Sequence, residues 1–143
     1  MNKPTLYVAL KGPLLVPSQH PNEFLGAGIA DYAKTFLTWA SGKFDVQVLT
    51  DENPRHVFFL ADHLGLHTES LRPRGYELAK TELMHPNTEF YWVDSELIPS
   101  EVAWLARHGH VDRFLSVDPT VGVIPRHREA LEGLTRSAQR TTG

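Results

Sequence analysis

The sequence contains no cysteine. That absence excludes a disulfide framework, thiolate zinc sites and a cysteine nucleophile. Long apolar runs are missing too: none approaches the roughly 20 residues that cross a bilayer as a helix. The N-terminal apolar run is broken by Lys11 and carries no small-residue cleavage pattern, so no signal peptide is read. Positive charge is sparse and dispersed. Fourteen Lys and Arg stand against seventeen Asp and Glu, for a net charge of −3 and a pI near 6.2. Without a basic block, the electrostatic footprint of a stable nucleic-acid partner is lacking. No Gly-x-Ser-x-Gly elbow occurs, which removes the serine-hydrolase template. The expectation is a cytoplasmic protein with no membrane partner.

What remains is an ordinary globular composition, 41% hydrophobic and 22% charged over 143 residues. A chain of that length buries roughly two-thirds of its unfolded surface, enough for one self-sufficient core. The reading is a single domain over residues 1–134, with a small, polar tail from Thr135 to the last residue that is expected to fray. Short apolar runs alternate with longer helical patterns. The strands are read at Thr5–Leu10, Phe44–Thr50, Gly65–Thr68 (the weakest), Glu89–Asp94 and Arg113–Asp118. The strong ones are apolar nearly throughout, as strands covered on both faces should be.

Helices fall between them. "GIADYAKTFLTWASG" places Ile29, Tyr32, Ala33, Phe36, Leu37 and Ala40 on one stripe and ends at Gly42. "NPRHVFFLADHLG" has Asn53 as cap and Pro54 at its first position. Further helices are read over Tyr76–Met84, over "PSEVAWLARHG" and over "PRHREALEGL". This alternation predicts an α/β fold: three layers, doubly wound around a mostly parallel five-stranded sheet of Rossmannoid type. The aromatics Phe36, Trp39, Phe58, Phe59 and Trp104 fall at core-facing helical positions and read as packing. Eight histidines scatter without the i,i+4 helical spacing of zinc hydrolases, so no metal site is expected. The stretch from Gly12 to Gly28, with Pro13, Pro17 and Pro21, reads as an ordered loop over the crevice.

In doubly wound sheets the functional crevice lies beyond the carboxyl ends of the strands. Those ends carry Ala9-Leu10-Lys11-Gly12, Thr50, Asp94 in "FYWVDSEL" and, at a later helix, Lys80 in "YELAKTEL". In order and spacing this set resembles the haloacid dehalogenase-like (HAD) superfamily over nearly the whole chain. The "VDSEL" segment, followed by a Trp-bearing helix and "VDPTVGV", is similar to small HAD-like domains of nucleic-acid repair proteins. That family's first strand ends Asp-x-Asp-Gly, its second in Thr or Ser, a Lys opens a later helix, and acids end its fourth strand.

The resemblance implies a phosphoryl-transfer site with two residues changed. The family's first aspartate is a nucleophile that forms an aspartyl-phosphate; its second is a general acid/base; Mg²⁺ joins the carboxylates to the phosphoryl oxygens. Here Ala9 and Lys11 hold those two positions. Ala9 offers no nucleophile and Lys11 no carboxylate. Counting Asp94 against Lys11 and Lys80 gives +1 where the family site carries −2, a balance that repels a divalent cation. Three readings follow. One is a catalytically inactive domain that binds an anionic or phosphorylated small molecule through Ala9, Lys11, Gly12, Thr50, Lys80 and Asp94, with no cofactor. A second is a structural or regulatory subunit, homo- or hetero-oligomeric, whose crevice is idle or filled by its own side chains. The third is a residual Mg²⁺-dependent phosphohydrolase acting through Asp51 or Asp94. The first carries a geometric expectation: the Lys11 ammonium takes the metal's place and pairs with Asp94. Blander roles stand beside it, with Thr50 bonding its own turn, Lys80 facing solvent and Asp94 capping a turn before Pro99.

Overall fold

The computed structural model describes residues 3–17 and 27–142. His20, Pro21 and the middle of the proline-bearing loop lie outside the described residues. In chain order the elements are β1 (Thr5–Ala9), β2 (Leu15–Val16), β3 (Gly28–Ile29), α1 (Ala33–Lys43), β4 (Asp45–Thr50), α2 (Arg55–His63), β5 (Arg72–Gly75), β6 (Phe90–Asp94), α3 (Pro99–His108), β7 (Phe114–Ser116) and α4 (Pro125–Thr142). Single 3₁₀ turns sit at Thr68–Ser70, Lys80–Leu83 and Val111–Arg113. Five strands form one all-parallel sheet in the order β5-β4-β1-β6-β7, and β2 and β3 make a separate antiparallel ribbon. The three-layer α/β expectation holds.

The layers follow from strand alternation. Leu6 and Val8 of β1, with Val46 and Val48 of β4 and Tyr91 and Val93 of β6, point to one face, where α1, α2 and α4 supply Phe36, Leu37, Leu60 and Leu131. Tyr7, Leu49, Phe90 and Trp92 point to the other face, beneath Met84 and Leu105 of α3. Both faces are covered, which is why these strands read as unbroken apolar runs. Phe36 is fully buried, and truncating such a ring to alanine costs about 3–5 kcal/mol.

The chain runs from β1 to its neighbour β4, on to the edge strand β5, and then returns to the opposite side of β1 as β6. The direction of winding therefore reverses at β1, and a crevice opens at the carboxyl end of that strand.

Local signals explain most boundaries. Asn53 caps α2, its Oδ1 accepting the Arg55 N–H at 3.0 Å. α3 opens on Pro99 and closes at Gly109, whose φ of 71° is the left-handed C-cap. Several expectations are corrected. α1 begins at Ala33, because Ile29 pairs with Leu15 in the ribbon, and it passes through Gly42 to Lys43. The weak strand at Gly65–Thr68 is absent; the fifth strand is Arg72-Pro73-Arg74-Gly75. An edge strand has one neighbour and solvent on its other side, so it tolerates Pro73 and needs no apolar run. The helix over Tyr76–Met84 is reduced to the turn at Lys80–Leu83. Phe58 and Phe59 face solvent, because α2 turns Val57, Leu60 and Ala61 inward instead. α4 stays helical through Thr142, past the residue where the tail was expected to begin.

Candidate functional site

The carboxyl ends of β1, β4 and β6 open into a pocket of about 240 Å³. Ala9, Lys11, Thr50, Lys80 and Asp94 all line it, so five of the six residues picked from the sequence converge there. Gly12 stands just behind, lining the adjoining cleft with Lys11. Its φ is +99°, and a Cβ added there would lie 2.6 Å from Ser95 Oγ. The glycine is therefore required twice, by backbone conformation and by the close approach of the β6 end.

The ion pairing differs from expectation. Lys11 does not meet Asp94. Its ammonium pairs with Glu52 at 2.5 Å, and both side chains are largely in solvent, 61% and 45% exposed. Asp94 pairs instead with Lys80, Nζ to Oδ2 at 2.5 Å, with side-chain exposures of 14% and 2%. The reason is reach. Glu52 lies in the turn after β4, beside the β1 end, whereas Lys80 opens its 3₁₀ turn over the β6 end. Lys80 is fixed at both its ends: its backbone N–H donates to Glu101 Oε2 at 2.9 Å, and its ammonium lies 5.6 Å from the centre of the Tyr76 ring.

Asp94 is nearly saturated. Besides Lys80, Oδ2 accepts the Trp92 indole N–H at 3.2 Å, and Oδ1 accepts the Ser95 N–H at 2.7 Å. Its turn-capping role and its ion pair are thus both present. A buried carboxylate demands such partners. Thr50 Oγ1 accepts the Glu52 N–H at 3.0 Å, which is the local turn bond anticipated for it.

The charge balance is also corrected. The pocket is lined by Lys11 and Lys80 against Asp51, Asp94, Glu96 and Glu101, a net of −2 rather than +1. The earlier count omitted acids whose position only the fold reveals. Their field is felt by Tyr76, whose hydroxyl is pushed up to about 12, first by burial and then by Asp51, Asp94 and Glu101. Lys11 and Glu52 shift each other outward, the ammonium upward and the carboxyl downward, chiefly through their hydrogen bond.

Sequence reasoning missed Glu101, Tyr76 and Glu52. Glu101 is 2% exposed, and its Oε1 accepts the Ile98 N–H at 3.0 Å. A glutamate at the third position of a helix opened by proline is a recognisable capping signal, but nothing local announces that the same carboxylate also binds Lys80. Among the described residues no group of three or more His, Asp or Glu is arranged to hold a metal ion. The fit to Mg²⁺ is poor on other grounds as well: a lysine ammonium is already bonded to Asp94, and Ala9 supplies no side-chain oxygen. In comparisons with known proteins, the sequence matches no family model and no curated relative.

Proposed function

We propose that this chain is a catalytically inactive HAD-like domain that works by binding, as a structural or regulatory subunit, with the buried carboxylate of its crevice occupied by its own lysine. The observation that carries the reading is the buried Lys80–Asp94 pair at the sheet's carboxyl end. It consumes the one buried aspartate beside β1, while the position that would need a nucleophile holds the methyl group of Ala9, 3% exposed. Phosphoryl transfer of the family's kind needs a carboxylate to take the phosphoryl group and a cation to neutralise the developing charge. At the two β1 positions that serve these roles in the family stand Ala9 and Lys11, and the buried Asp94 is already bonded to Lys80. The test is hydrolysis of p-nitrophenyl phosphate and a panel of phosphoesters with Mg²⁺ or Mn²⁺. No turnover above buffer is expected, and metal-dependent turnover abolished by Asp94→Asn would overturn the proposal.

One observation favours a second reading, in which the crevice mouth binds an anion. Lys11 is bonded to an exposed partner, Glu52, and such surface pairs hold by about 0–1 kcal/mol, so a phosphate is able to compete with Glu52 for the ammonium. The net charge of the lining opposes it. Thermal-shift measurements with phosphate, sulfate and nucleotides separate the two: silence supports the idle crevice, and stabilisation lost in Lys11→Ala supports the anion site.

A further inference from the structure

We infer that the rim of the crevice docks a basic segment of a partner protein, one carrying apolar anchor side chains among lysines or arginines. This rests on the reading that the domain acts by binding, and it names the partner's chemistry. Leu78 and Ile98 both line the crevice, and they are 84% and 44% exposed. Val102, 50% exposed, stands one helical turn from Ile98, with its N–H bonded to the Ile98 carbonyl. Leu78 is held there actively: Glu82 Oε1 accepts the N–H groups of Leu78 and Ala79 at 2.9 and 2.8 Å, while Glu101 ties the neighbouring Lys80 backbone to α3. An exposed leucine on a pinned turn, lining the same crevice as the exposed Ile98, is a presented surface rather than a loose loop tip.

Charge selects the occupant. The two rim segments, Tyr76–Glu82 and Asp94–Val102, hold five acids, Glu77, Glu82, Asp94, Glu96 and Glu101, and a single base, Lys80. That base is already paired, whereas Glu77, Glu82 and Glu96 are exposed. A segment with apolar anchors buries the three aliphatic side chains, and flanking cations complement the three acids and speed encounter. An acidic or neutral segment gains the first term and is opposed or unaided in the second.

The test uses the whole chain labelled with ¹⁵N, titrated with a short synthetic peptide of leucines and arginines and with its twin bearing glutamate for arginine. The arginine peptide is expected to shift amide resonances around Leu78, Ile98 and Val102, and the glutamate twin is not. Leu78→Ser and Ile98→Ser, surface changes that leave the core intact, should each weaken binding by about tenfold, the scale set by burial of one aliphatic anchor. Glu77→Lys and Glu96→Lys should weaken it further and flatten its salt dependence, whereas Glu129→Lys on α4 should not. Shifts centred on Phe58 and Phe59, equal binding of the twin, self-association that buries Leu78, or no binding at millimolar peptide would each overturn the docking surface. None of these outcomes bears on whether the domain hydrolyses phosphoesters, so the two proposals fail separately.

Discussion

Replacing Lys80 by methionine keeps an unbranched side chain and removes the ammonium that is bonded to Asp94 and lies over the Tyr76 ring. Breaking a buried pair from one side typically costs about 3–5 kcal/mol, because the remaining charge is left uncompensated. Two features reduce that figure here. Asp94 keeps the Ser95 and Trp92 N–H donors, and the lysine end of the pair is 14% exposed, so water reaches it. A loss of about 2–3 kcal/mol is therefore expected for Lys80→Met. In a chain of this size it corresponds to a fall of roughly 5–10 °C in Tm. Urea denaturation is the assay, with Lys80→Met, Asp94→Asn and the double variant forming a cycle. The neutral double variant should recover most of the loss, giving a coupling energy of about 2 kcal/mol. Coupling below about 0.5 kcal/mol would refute the reasoning, because the two groups would then not stabilise one another.

Three more outcomes follow from the same geometry. Gly12→Ala forces a side chain onto a φ of +99° and against Ser95 Oγ, with an expected loss of about 1–3 kcal/mol; Ser95→Ala in that background should relieve only part, since Ser95 Cβ would still lie 2.9 Å away. His127, 4% exposed, accepts the Ile124 N–H on Nδ1 and faces the Ser116 carbonyl through Nε2; His127→Leu should cost about 2–3 kcal/mol by stranding both backbone groups, read as a lower urea midpoint. At the crevice mouth, a depressed carboxyl such as Glu52 lends stability that is present above its unfolded pKa and lost as pH falls through its native value, and the raised Lys11 ammonium does the mirror image at alkaline pH. The pair is thus in force across neutral pH, and because it is exposed Lys11→Ala should change stability by less than about 1 kcal/mol while the Glu52 carboxyl, followed by NMR, rises toward the ordinary range.

The parts of the fold legible in the sequence are those whose local pattern and tertiary environment agree. β1, β4 and β6 are buried on both faces and appear as apolar runs; α2 and α3 carry their caps in Asn53, Pro99 and Gly109. β5 was missed because an edge strand answers to solvent as much as to its neighbour, so Arg72-Pro73-Arg74-Gly75 shows neither alternation nor an apolar run. The ribbon of β2 and β3 has two residues on each side, too few to show a period. At the site, convergence of Ala9, Lys11, Thr50, Lys80 and Asp94 follows from one rule about strand ends. Which lysine meets which acid does not. It depends on side-chain reach across a turn, with Glu52 taking Lys11 and leaving Asp94 to Lys80, and the sign of the crevice depends on Asp51, Glu96 and Glu101, which no strand-end rule selects.

The most direct measurement is a Mg²⁺ titration of the ¹³C,¹⁵N-labelled chain, watching the Asp94 carboxyl and the Ser95 amide, with p-nitrophenyl phosphate hydrolysis followed in the same samples. A crevice whose buried carboxylate is already committed to Lys80 predicts flat resonances and no product up to millimolar metal. Saturable shifts at Asp94 accompanied by phosphate release would contradict it.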